Sequence, residues 1–149
     1  MRVKTSSVIK GLLACLLLLS FVSILDAADD TRFTLKDGVI YDSALRLQWA
    51  PAPDRAMNHY QAEEYSRNLS LAGGGWRLPT MEELSSLYDE SQPGGADPKF
   101  HVSGFWVWTS ELKDPSGAWD FNFGVGGEFR LDRADPSDYL RVLAVRSRR

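Results

Sequence analysis

The run GGGWRLPTMEEL, Gly73 to Leu84, decides how the chain is organised. Three glycines meet a tryptophan, an arginine, a Leu-Pro pair and a helix start. Gly73, Gly74 and Gly75 end a preceding helix and permit positive φ. Pro79 holds Leu78 extended. Thr80 stands before an amphipathic run with Glu83 three residues on, the signature of a capping box. The stretch therefore reads as a structural corner: a short extended link between two helices, with Trp76 and Leu78 plugged into the core. Arg77 has no second basic residue near it in the motif. It is expected to pair with a carboxylate or with backbone carbonyls, not to hold an anion.

Working outward, NHYQAEEYSRNLSLAGGG reads as the first helix. Asn58 caps it with Gln61 in the box position. Ala62, Tyr65 and Leu69 form its apolar stripe, while Glu63, Glu64 and Arg67 face water. Leu84, Leu87 and Tyr88 give the second helix its stripe. Upstream, Val39–Tyr41 and Leu45–Trp49 are strands joined by a turn at Asp42-Ser43, and residues 29–36 are a polar lead-in. Downstream of a Pro- and Gly-rich loop come FWVWTS, AWDFNFGV, EFRLDR and YLRVLAVRS, all strands. In AWDFNFGV, Trp119, Phe121 and Phe123 alternate with Asp120 and Asn122, which puts the two sets on opposite faces. Gly126-Gly127 suits a hairpin turn. This order of elements predicts an α+β fold with an antiparallel sheet.

The first residues do not belong to that domain. MRVKTSSVIK is basic, GLLACLLLLSFVSIL is apolar, and small residues follow. The pattern is a secretory signal peptide over residues 1–27, cleaved after Ala27 or Ala28. The apolar run is short for a membrane span, which needs about 20 residues; an uncleaved anchor is the alternative. Cys15 sits too early in the run for a lipoprotein cysteine. The leader holds three of the 17 basic and one of the 20 acidic residues. Residues 28–149, read as one domain, then carry 14 basic and 19 acidic groups, a net charge of −5. That mild acidity argues against a nucleic-acid surface. The chain is expected to be exported, to the periplasm or beyond. With no cysteine after the leader, its core alone must hold it. All five tryptophans fall in that part.

GVIYDSALRLQWA, AEEYSRNLSLAGGGWRLPTMEELSSLYD, FWVWTSE, GAWDFNFGVGGEFR and RVLAVR occur in an order that resembles a bacterial domain family of unknown function. That family is typified by the C-terminal domain of the collagen-like adhesin Lcl. The resemblance spans about residues 37–146, and its last element departs slightly, reading RVLAVR. It implies a C-type-lectin-like fold, with two helices packed on a twisted antiparallel β-sheet, and an extracytoplasmic binding or adhesion module. The calcium-dependent sugar site of such lectins is not implied. The segment ELKDPSG is too short for the calcium loop, Gly94 follows Gln92-Pro93 where an oxygen ligand is needed, and calcium wants six to eight oxygens.

Catalytic chemistry finds little material. His59 and His101 have no motif around them and read as surface residues. Two histidines without cysteine offer little for zinc. Asp132, Asp135 and Asp138 are close in sequence but match no calcium loop; a solvated turn is favoured and cation binding stays open. No cofactor and no enzymatic activity are expected. The candidate ligand patch is Trp108, Glu111, Asp120, Asn122 and Arg130, where an aromatic ring can stack on a sugar and polar groups can orient hydroxyls. Core packing is the competing role for these aromatics. The expected partner is a glycan or other envelope polymer, with membrane contact only through an uncleaved leader. The alternative is a protein-interaction subunit of an envelope assembly.

Overall fold

The computed structural model describes residues 31–102 and 105–148. The leader read at residues 1–27 lies outside the described residues. The strands are β1 (Phe33–Lys36), β2 (Val39–Asp42), β3 (Leu47–Ala50), β4 (Trp106–Leu112), β5 (Gly117–Asn122), β6 (Gly127–Asp132), β7 (Leu140–Arg141) and β8 (Ala144–Ser147). Two helices, α1 (His59–Asn68) and α2 (Met81–Ser85), lie between β3 and β4. The strands form two four-stranded sheets, ordered β1-β2-β3-β8 and β6-β5-β4-β7.

The architecture corrects the expected two helices on one antiparallel sheet. The domain is mostly β, in two sheets, and only α1, with ten residues, is a helix of substance. α2 is five residues long. Leu87, which seemed to extend its stripe, is buried from a turn beyond the helix end. The supposed polar lead-in contains β1, an edge strand in register with β2 from Phe33↔Asp42 to Lys36↔Val39. Its polar letters reflect that edge position, since most of its residues are exposed. The final run is not one strand either. Leu140-Arg141 pairs parallel with β4, and after Val142-Leu143 the chain joins the other sheet beside β3.

Cross-strand pairing sorts the side chains into layers, because residues directly opposite each other share a face. Ile40, Trp49 and Val145 of the first sheet face Val107, Phe121 and Phe123 of the second across one core, which Leu84 of α2 also enters. On the outer face of the second sheet, Trp108, Ala118 and Leu140 pack with Ala62 and Tyr65 of α1. On the outer face of the first sheet, Val39, Ala50 and Ala144 pack with Trp76.

The glycine-rich corner is what covers that outer face of the first sheet. The Trp76 indole N–H donates to the Leu71 carbonyl at 2.8 Å. Arg146, from β8, stacks its guanidinium 4.3 Å from the Trp76 ring centre and donates to the carbonyls of Ala72 and Gly74. It also donates to the Gln48 side-chain oxygen at 2.7 Å. The backbone of Arg77 exchanges two hydrogen bonds with Val145, so the link acts as a one-residue addition to the sheet. Gly73, Gly74 and Gly75 all have positive φ, which lets the chain turn sharply into that bridge. Arg77 then forks onto Glu83 through two bonds of 2.8 and 2.7 Å. Thr80 and Glu83 complete the capping box. Leu78 and Pro79 are buried behind it. The run is a structural corner.

Candidate functional site

α1 shields only part of the second sheet's outer face. Its residues Ala62 and Tyr65 close over the end that holds Trp108 and Ala118. Past them lies the end formed by Trp106, Asn122 and Phe129. The registers Trp106↔Asn122, Trp108↔Asp120 and Asp120↔Phe129 put all five side chains on one face. Trp106 forms the centre of an aromatic row. Its ring centre lies 4.6 Å from that of Phe129 and 5.4 Å from that of Tyr139. Phe129 and Tyr139 are 37% and 38% exposed, and Trp106 is half-buried.

Asp120 lies on this face, flanked by Trp108 and Phe129 across the neighbouring strands. It is 0% exposed, and neither carboxylate oxygen has a hydrogen-bond partner among the described residues. Burial, and then the nearby Asp135, push its carboxyl up to about 7. An unpartnered buried carboxylate is expensive and calls for an explanation. Among the described residues the carboxylate has no partner; Arg130, on the opposite face, pairs with Asp114 at 2.6 Å, and Arg133 pairs with Glu63 at 2.8 Å.

The five residues of the sequence-derived patch do not assemble as a group. Trp108 is fully buried, with its indole N–H donating to the Met57 carbonyl at 2.9 Å. Its role is core packing, because α1 closes over it. Glu111 accepts from the Met81 backbone N–H at 2.8 Å, which ties the first turn of α2 to β4. Arg130 is opposite Trp119 in register and so belongs to the other face. Its hydrogen bond to Asp114 is the main cause drawing that carboxyl down to about 2. Asp120 and Asn122 do share a face; Asp120 is buried between Trp108 and Phe129, and Asn122, also buried, accepts from the Gly124 N–H at 2.7 Å. Sequence reading passed over Phe129 and Tyr139. The signal for Phe129 was available, since it is the apolar residue between Glu128 and Arg130 on a strand paired with β5.

Neither histidine nor the aspartate loop forms a second site. His59 is not a surface residue as read: it is fully buried, edge-on to Trp108. Arg133 Nε donates to its Nδ1 at 3.1 Å, which leaves Nε2–H to donate to the Thr109 carbonyl at 2.9 Å. Burial holds this imidazole below its usual value. A neutral histidine with both nitrogens satisfied is a core strut. Asp132 and Asp135 each accept hydrogen bonds from residues two positions on, closing their own turns. Among the described residues no three acidic, histidine or cysteine side chains converge as metal ligands. A cleft of about 540 Å³ runs beside α1, lined by Arg55, Gln61, Tyr65 and Asn68 among others, but no unpartnered buried polar atom lines it.

The molecule is thus a two-sheet, mostly β domain with one outer face sealed by a glycine-rich corner and the other partly open under an aromatic row. Residues 38–146 match the Lcl C-terminal domain, and the chain belongs to that family. No curated protein matches the chain.

Proposed function

We propose that this chain is an exported, non-enzymatic binding or adhesion module that holds a glycan or other cell-envelope polymer, without calcium, on the open end of its second sheet. The aromatic row of Trp106, Phe129 and Tyr139 carries the reading. Three adjacent rings, partly exposed, two on paired strands and Tyr139 in the turn that leads into β7, offer stacking surfaces, and Asn122 lies beside them for a polar contact. The test is a glycan array run with the purified chain, with and without a calcium chelator. Chelation is expected to leave binding unchanged, and Trp106→Ala to lower affinity at least about tenfold, the loss of one good stacking contact. Binding that disappears on chelation, or that Trp106→Ala leaves intact, refutes the reading.

A second reading is favoured by a separate observation. β6 is an edge of the second sheet, with residues 128–130 exposed and Val125 65% exposed beside it. Such an edge can accept a strand from a partner protein. Self-association or capture of an extended peptide, abolished by a proline at Arg130, would support it.

A further inference from the structure

We propose that the open end of the second sheet recognises an organic cation, an ammonium group carried by the ligand, with the rings of Trp106, Phe129 and Tyr139 as its seat and Asp120 as the charge behind them. The inference rests on the reading that this end is the ligand face, and adds the chemistry of what sits there.

Two independent features point the same way. The first is the aromatic row. The negative face of an aromatic ring attracts an ammonium ion, most strongly for tryptophan, and several rings together form the usual seat for alkylated ammonium groups. The second is Asp120. Its carboxylate lies on the same sheet face, fully buried and without a hydrogen bond among the described residues. Asp135 adds a second negative charge on this side. A charge in a poorly solvated setting exerts a field less damped than in water. A cation resting on the rings supplies the missing counter-charge, so binding relieves a cost that the fold otherwise bears.

The donor set selects among cations. A hard metal ion wants several oxygens, and here the partly exposed side chains beside Asp120 are aromatic rings. An alkylated ammonium gains from those faces and from shedding apolar surface together. A neutral or anionic ligand leaves Asp120 uncompensated.

The experiment compares choline with its neutral carbon isostere, 3,3-dimethylbutan-1-ol, at constant ionic strength and at pH 8, where the Asp120 carboxyl, raised to about 7, is ionised. Binding to the full chain is read from the indole N–H signals of the five tryptophans by NMR. Choline is expected to shift the Trp106 signal and to bind about tenfold tighter than the isostere. Asp120→Asn is expected to remove most of that preference while leaving the isostere's affinity unchanged. Phe129→Ala, a change at a half-exposed side chain, is expected to weaken choline several-fold without loss of fold. Equal binding of choline and isostere, or an unchanged preference in Asp120→Asn, overturns the proposal. If an array-selected neutral glycan shifts Trp106 and choline does not, the ligand face stands and the cation proposal fails. If neither shifts Trp106, both fail.

Discussion

Trp76→Ala is expected to cost about 3–5 kcal/mol of folding stability, the range for emptying a buried aromatic site. The loss has three sources on one side chain. Trp76 is 4% exposed and fills the space over Val39, Ala50 and Ala144 on the outer face of the first sheet. Its indole N–H ties down the Leu71 carbonyl. Its ring also carries the Arg146 guanidinium, which in turn holds the carbonyls of Ala72 and Gly74. Removing the ring leaves a cavity and loosens the fork that fixes the glycine corner. Urea denaturation of the variant checks the figure. A loss below about 1 kcal/mol, typical of a surface change, means the corner is not the anchor described above.

The second large effect belongs to Asp120 and depends on pH. Its carboxyl titrates near 7 in the folded chain, against an ordinary value of 3.8. Between those values the folded state keeps a proton that the unfolded state has released. Stability from this group is therefore full below about pH 4, falls as pH rises through 7, and then levels off. Each pH unit of the window is worth about 1.4 kcal/mol, so the full loss across it is of the order of 4 kcal/mol. His59 works in the opposite sense. Its value is lowered by burial, so its contribution is present above about 6.5 and fades as pH falls. Because His59 is unchanged in Asp120→Asn, the difference between wild type and variant isolates the carboxylate. The variant is expected to gain on the wild type by several kcal/mol between pH 4.5 and pH 8 in denaturant titrations. Parallel pH profiles for the two proteins would show that the carboxylate has a partner in solution.

Local signals in the sequence were legible where a few neighbouring residues settle the structure. The boxes at Asn58–Gln61 and Thr80–Glu83 form as their spacing predicts. Trp119, Phe121 and Phe123 turn to one core while Asp120 and Asn122 turn away, as strand alternation requires. The corner was readable because glycines, proline and a cap each restrict the backbone on their own. What failed was long-range. Nothing local says that the last strand run divides between two sheets, or that β4 and β7 run parallel. β1 hid because an edge strand with one half-buried residue has no apolar alternation to display. The stripe of Leu84, Leu87 and Tyr88 looked helical because residues just past a helix end, such as the buried Leu87 and the half-buried Tyr88, can face the core as helical residues do.

The site shows the same division. Alternation placed Trp106 and Trp108 on one face, but only the position of α1 decides that Trp108 is closed over and Trp106 is half-open. Tyr139 reaches the row through the chain's return beside β4, which no sequence spacing announces. The candidate patch places Arg130 with Asp120 at one end of the β region. The register Trp119↔Arg130 sends it to the opposite side.

The proposed ligand face is the open end of the second sheet. The most direct measurement is an indole-resolved NMR titration of the chain with the tightest-binding glycan from the array. The five tryptophans report from distinct places, and only Trp106 stands in the exposed row. A saturable shift of the Trp106 signal is expected, with the signal of Trp76 unmoved. A shift confined to Trp76 or Trp119, or a bound ligand that leaves Trp106 untouched, contradicts it.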